Sequence, residues 1–499
     1  MKREAIVPTG IAVTLLVAIA YLLSAPQTGN LQLIASTLLL CLYVAATVLR
    51  PALGLGLVCV TVPFLGMLRR ILYQQSQTSF DTLLLVIPLY SALMLLVIVT
   101  IHRDRFHTIL RQSLTSRLLL GLMLILLIQV FNPLQGGLTV GLAGALFYIV
   151  PLCWYFIGRL YLTERTMKGI LSIFIVASVI AAGYGLMQTL VGFPDFDTYW
   201  TSQVSKGSYA ALYVGGTIRA FGPATSAAEY AGFLSSGLAC LLALVVFRKR
   251  LVVLAPIALL GAALFLESSR TIIITTLAIF VALLALRQRS KVLAIAVIGV
   301  LCASGVVAYQ HFSGTTYSLA SNASSPFGGL VAHQINGLAH PLDAKYSTGQ
   351  LHLQQLANSF PTSIRNPLGY GLGATTLAAS KFGASSLSAE LDIPNIFISG
   401  GIIAGILYIA VLYRTISTGV VLVFRHKQTT DVLAFAALAV SFGQTLNGGY
   451  YSLMPFLWMF IAWIDRRAVD TLGYKPTPMA RRFARRARPL IAAPVTVGR

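Results

Sequence analysis

Apolar residues in this chain come in runs of roughly 20, each long enough to carry a helix across the hydrocarbon core of a bilayer. Such runs fall near residues 6–24, 31–49, 51–68, 82–101, 117–131, 139–158, 168–191, 225–247, 251–267, 270–287, 291–309, 393–413, 430–447 and 450–464. The pattern predicts an all-α polytopic transmembrane helical bundle of about 14 spans, with roughly 12–14 as the range. The first run exceeds a signal-peptide core and has no clean small-residue cleavage motif, since Pro26 follows Ala25, so it is read as a retained anchor. Two polar stretches interrupt the series, near 192–224 and 310–392. The start of the second, 313–329, reads as flexible, and its middle, Leu351 to Phe360, as a short amphipathic helix lying on the membrane. No convincing internal repeat is found, which weighs against a secondary transporter.

Composition supports that picture and removes the alternatives. Hydrophobic residues make up 57% of the 499 positions and charged residues 10%, with a mean hydropathy of +0.81. Average soluble proteins carry roughly 25% charged residues. A soluble globular enzyme, a disordered chain and a disulfide scaffold are excluded. The five cysteines lie in apolar runs without metal-type spacing.

The net charge of +22 reads as topology. Cations collect in alternate loops: Lys2/Arg3, Arg50, Arg103 to Arg117, Arg159/Arg165/Lys168, Arg248/Lys249/Arg250, Arg287/Arg289/Lys291, Arg425/Lys427 and the tail from Arg466. By the positive-inside rule that face is cytoplasmic, both termini lie inside, and 310–392 is a large external loop. The tail 466–499, with Arg481, Arg482, Arg485, Arg486 and Arg488, reads as a polybasic segment on the lipid surface, and nucleic acid is not expected as a partner.

The informative charges stand on the other face. Arg69 and Arg70 end the third span; Arg219, Arg270 and Arg365 stand beside glycine, proline or small residues. Arginine at a membrane rim is costly unless it snorkels, pairs or meets an anion. Separate pairing would join Arg270 to Glu267 and Arg219 to Glu229. A cluster would bind phosphate, because guanidinium offers planar, bidentate donors. Carboxylates near this face are few: Glu229, Glu390, Asp392, Asp195 and Asp197. Any could act as a general base, pair with arginine, or, for Asp392, offset a helix N-terminus. Four of the seven histidines, His311, His333, His340 and His352, lie in the large loop without zinc-type spacing, so a base is the only chemical role considered for them. Gly369-Tyr-Gly-Leu-Gly373 has no strand before it and reads as a turn that lets backbone approach a ligand or the membrane. The loops carry no phosphate-binding, kinase or hydrolase signature, so no metal or cofactor is expected.

In their order these pieces resemble the O-antigen ligase and O-antigen polymerase (Wzy-type) superfamily. Four segments carry the resemblance over roughly 215–465: Arg219-Ala-Phe-Gly222 with Tyr230-Ala-Gly-Phe-Leu234; Ser268-Ser-Arg270; Asn366-Pro-Leu-Gly-Tyr-Gly-Leu-Gly373; and Asn395-Ile-Phe-Ile with Gly400-Gly-Ile-Ile-Ala-Gly405. The third is similar to the family's Pro-Leu-x-Gly-x-Gly segment. The fourth is similar to its His-Asn-x-(Tyr/Phe)-Leu helix start, with Pro394 here in place of the histidine. Residues 1–214 are then preceding transmembrane helices.

The resemblance implies a bacterial inner-membrane enzyme for O-antigen or exopolysaccharide biosynthesis. It would move glycan repeat units from a polyprenyl-diphosphate carrier to a growing chain on the external face. Arg219 and Arg270 would bind the diphosphate, with Arg365 a weaker third. Asp392 or Glu229 would act as base or orient an arginine, and Tyr370 would touch sugar. Partners would be the lipid-linked oligosaccharide, membrane lipids and a chain-length regulator. Pro394 favours a polymerase over a ligase of the same family; a transporter or flippase is the non-enzyme alternative.

Overall fold

The computed structural model describes residues 31–76, 81–203, 213–214, 217–288, 290–312, 326–340, 343, 345, 349–376, 379, 387, 391–442 and 452–472. The apolar run 6–24, Glu390 and the tail from 473 lie outside these residues. What is described is helical apart from one two-residue hairpin, β1 (Tyr213–Val214) paired antiparallel with β2 (Thr217–Ile218).

The helices stand where the apolar runs predict them. α1 (Leu31–Leu49) leads through Arg50 to α2 (Pro51–Thr61), with proline at the first helical position, where its missing N–H costs nothing. A 3-10 turn at Val62–Phe64 joins α2 to α3 (Leu65–Ser76), and α4 is Val86–Thr100. α5 (Arg103–Gln112) and α6 (Leu114–Gln129) meet at a bend of 111°. The bend falls at Ser113, whose hydroxyl leaves the helix to cap α6 by accepting from Ser116 N–H. α7 (Leu138–Tyr148) and α8 (Val150–Tyr161) run on as one apolar segment. α9 (Glu164–Leu190) is capped by Thr163, and α10 (Asp195–Gln203) follows.

After the hairpin come α11 (Ala227–Arg248), α12 (Leu254–Glu267), α13 (Arg270–Arg287) and α14 (Lys291–Phe312). α15 (Pro326–Ala339) and α16 (Gly349–Arg365) precede α17 (Asp392–His426), α18 (Thr429–Val440) and α19 (Met454–Leu472). α16 contains the helix expected at 351–360. α15 is a correction: residues 326–329, expected to be flexible, begin a regular helix.

Among the described residues, seven helical segments are long and apolar enough to cross a membrane, and eight when the bent pair α5–α6 counts as one. Apolar side chains also cover the outside, with Leu124 and Ile128 on α6 and Val292 and Ile295 on α14 exposed. That outward apolar surface is what a helical membrane protein presents to lipid. The centre is α11, packed against α9, α12, α13 and α18, while α19 packs against α8, α17 and α18.

One helix is broken. Gly401 in α17 has φ 81° and ψ 179°, a conformation nearly confined to glycine. The segment 366–373 fills the break. Tyr370 N–H donates to Ile398 O (2.9 Å), Gly371 N–H to Ser399 O (3.0 Å), and Ile402 N–H to Pro367 O (3.0 Å). Side-chain amides hold it from α6 and the following turn: Gln129 Nε2 donates to Leu368 O (2.6 Å) and Asn132 Nδ2 to Gly369 O (2.9 Å). A Cβ on Gly369 would lie 2.5 Å from Ser399 O. The glycine turn approaches helix backbone.

Candidate functional site

The site is built where β2, α11, α12, α13 and α15 meet. Arg219 follows β2 directly, in the short segment that leads into α11. That segment is held from beneath by Arg70. Arg70 is fully buried; its Nε donates to Asp197 Oδ1 (2.6 Å), its Nη2 to Gly222 O (2.7 Å) and its Nη1 to Ala224 O. The guanidinium also lies over the Phe221 ring, 4.7 Å from its centroid. Asp197 is itself satisfied by Tyr184 (2.6 Å) and Gln188 (2.7 Å), and Gln188 Oε1 accepts from Gly222 N–H (2.8 Å). A buried charge pair is tolerable only when completed by such hydrogen bonds. Arg69 pairs with Asp81 at 2.6 Å and lies over Trp200. Both arginines that end α2–α3 thus have ion-pair partners.

The start of α11 is fixed by a capping box, Ser226-Ala-Ala-Glu229. Ser226 Oγ accepts from Glu229 N–H (3.2 Å). The Glu229 carboxylate accepts from Thr225 N–H (3.0 Å) and Oγ1 (2.8 Å) on one oxygen, and from Ser452 N–H and Oγ (2.6 Å) on the other.

Arg219 Nη1 then lies 3.4 Å from Glu267 Oε1. Glu267, the last residue of α12, is fully buried, and its Oε2 accepts from Ser269 N–H (3.0 Å). Ser268 takes a left-handed φ of 71°, which turns the chain into α13 within two residues. Its hydroxyl donates to Gln334 Oε1 on α15 (3.2 Å). Arg270 opens α13 and meets His333 through Nη2 and Nε2. Gly337, one turn after His333, makes room: a Cβ there would fall 2.0 Å from Arg270 Nη1. The two arginines are within electrostatic reach of each other. Burial, then Arg270 and Arg219, push the His333 imidazole down from 6.5 to about 4, so it is neutral near pH 7.

Among the described residues the cluster holds two guanidiniums, one carboxyl group and one neutral imidazole. It also holds surplus donors. The Gln334 Nε2 and Tyr230 hydroxyl groups are buried and have no hydrogen-bond partner among the described residues. Each such group costs about 1–3 kcal/mol. Two guanidiniums beside buried side-chain donors make a cradle of the kind that suits a phosphate group.

Arg219 and Arg270 are brought together, though with partners exchanged relative to the sequence pairing: Arg219 meets Glu267, and Arg270 meets His333. Arg365 ends α16 exposed and makes no ion pair with the cluster among the described residues. Tyr370 is half-buried in the segment docked on α17. Asp392 is buried in the first turn of α17 and accepts from Tyr408 (2.8 Å). Gln334, the place of Tyr230 in the cluster and the pairing of Arg70 with Asp197 escaped sequence reasoning, although Tyr230, Arg70 and Asp197 were each singled out there.

No protein-family model, curated protein or solved structure matches the chain.

Proposed function

We propose that this chain is a membrane glycan polymerase that transfers oligosaccharide repeat units from a polyprenyl-diphosphate carrier to a growing chain on the external face. The observation that carries the reading is the juxtaposition of Arg219, on Glu267, and Arg270, on His333, with the buried Gln334 amide and Tyr230 hydroxyl beside them. Arg219 and Arg270 hold the diphosphate and stabilise the charge that develops on it as it leaves. Glu267 orients Arg219. His333, neutral, accepts from Arg270 through Nε2 and so orients that guanidinium, and Asp392 is the base that takes the proton of the attacking hydroxyl. The acceptor oxygen bonds to the anomeric carbon, the bond from that carbon to the phosphate oxygen breaks, and the carrier departs as polyprenyl diphosphate. Glu229, which accepts four hydrogen bonds, positions the start of α11, and Arg365 and Tyr370 act as outer contacts for sugar.

The reading takes about 14 spans with both termini cytoplasmic in a bacterial inner membrane. Membrane lipids surround it and a chain-length regulator is a further partner.

The test is a deletion strain complemented with wild type, Arg219→Ala or Arg270→Ala at matched membrane levels. Polysaccharide is sized on a gel and lipid-linked single units are assayed. Loss of long polymer with persistence of single units supports the polymerase. Accumulation of long lipid-linked polymer indicates a ligase instead. Unchanged glycans in the deletion strain itself reject the enzyme reading and favour a transporter.

A further inference from the structure

Opposite the arginine cluster, three helices end together. α13 has 18 residues and spans about 27 Å, so its last turn lies roughly one hydrocarbon thickness from Arg270. There Lys427 Nζ donates to the carbonyls of Arg287 (2.7 Å) and Gln288 (3.3 Å). Arg248 donates from Nε to Thr429 Oγ1 (2.7 Å) and from Nη2 to the Lys427 carbonyl (3.3 Å). The ends of α11, α13 and α17 are thereby tied into one rim.

This rim carries Arg248, Lys249, Arg250, Arg287, Arg425 and Lys427. Helix C-termini attract cations, which explains part of the accumulation. Each terminus is worth about −0.5 elementary charge, so three supply about −1.5 against six full positive charges. Lys427 is committed to two carbonyls and Arg248 to one carbonyl and one hydroxyl, while Arg248, Lys249, Arg250, Arg287 and Arg425 are all exposed. Asp431, the acid nearest in sequence, is buried and already taken by Arg467 (3.1 Å) and Trp463 (2.9 Å). Lys249 and Lys427 both take left-handed C-cap conformations, with φ 53° and 50°, where glycine or asparagine is usual. Beside the cations, Leu251 and Val252 are 65% and 82% exposed, offering apolar surface at the same depth.

We propose that this rim binds the headgroup of an acidic phospholipid, with cardiolipin as the fullest match because its two phosphates meet the excess cations while its chains cover Leu251 and Val252. The proposal is independent of the glycan-transfer reading. Basic pockets between membrane helices are suited to such headgroups.

The experiment uses the purified full-length chain reconstituted in phosphatidylcholine vesicles with and without cardiolipin. Lipid retained after detergent extraction is measured by native mass spectrometry. The triple variant Arg248→Gln/Arg250→Gln/Arg287→Gln keeps Lys427 and its carbonyl bonds. It is expected to bind cardiolipin about a hundredfold more weakly. The charge-conserving triple Arg248→Lys/Arg250→Lys/Arg287→Lys should retain binding, which separates lost recognition from lost folding. Arg103→Gln/Arg105→Gln/Arg111→Gln removes equal charge from exposed positions on α5 and should change little. Equal loss in that control, undiminished retention in the rim triple, or protection by inorganic phosphate as complete as that by the lipid would each overturn the proposal.

Discussion

Replacing Arg70 by methionine keeps most of the side-chain volume and removes the charge that secures the segment before α11. Three donors disappear, to Asp197, Gly222 and Ala224, together with the contact over Phe221. Asp197, fully buried, is left ionised with only Tyr184 and Gln188. Breaking a buried pair from one side costs about 3–5 kcal/mol, a fall in Tm of about 3–5 °C for a chain of this size. Arg69→Met supplies the comparison and should cost less, because its pair with Asp81 lies nearer solvent, with side chains 10% and 15% exposed against 0% for both members of the Arg70 pair. Adding Asp197→Asn to Arg70→Met removes the stranded charge and should restore about half the loss, since the two carbonyls still lack donors. Unfolding in detergent can be followed by the reaction of buried Cys59, Cys153 and Cys240 with a thiol dye. If Arg70→Met melts with Arg69→Met, or the double variant is no better than the single, the reasoning about this network is wrong.

Gly401→Ala should destabilise by about 3 kcal/mol or more, because its φ is 81° and a Cβ would lie 2.4 Å from Pro367 O; Gly183→Ala, with nothing within 4 Å, should melt with wild type. The His333 pKa is depressed in the folded chain, so the unfolded chain takes up the proton first as pH falls. That contribution is complete above pH 6.5, declines toward about pH 4 and is gone below it. Thermal melts of His333→Gln across this window should lose that part of the acid slope, and an unchanged slope would place the titration elsewhere.

The helices were legible because burial in lipid leaves long apolar runs: α1 at Leu31–Leu49 and α4 at Val86–Thr100 fall on runs of the same extent. The break in α17 was not, since Gly400 and Gly401 interrupt no apolar run. The start of α15, 326–329, was read as flexible because Pro326, Gly328 and Gly329 resemble loop composition, and further along Gly337 admits a guanidinium. The proximity of Arg219 and Arg270 was legible from two charges on one unexpected face. Their partners were not: sequence proximity offered Glu267 to Arg270, and the fold gives it to Arg219 across 48 positions. Arg70 and Asp197 stand 127 positions apart, and no local pattern announces such a pair.

The seating of residues 366–373 in the break of α17 also bears on how the chain assembles. An unbroken helix in lipid satisfies its own backbone, and so does the broken helix with the segment docked; the intermediate, broken and empty, does not. Opening at Gly401 must therefore exchange helix bonds for the bonds to Pro367, Tyr370 and Gly371 nearly one for one. The net energy of that exchange is small and the barrier between the two arrangements is large. The docked arrangement behaves as a latch, set once during assembly and slow to release afterwards. Residues 366–373 are held by backbone bonds to α17 and by the side-chain amides of Gln129 and Asn132, without a covalent cross-link.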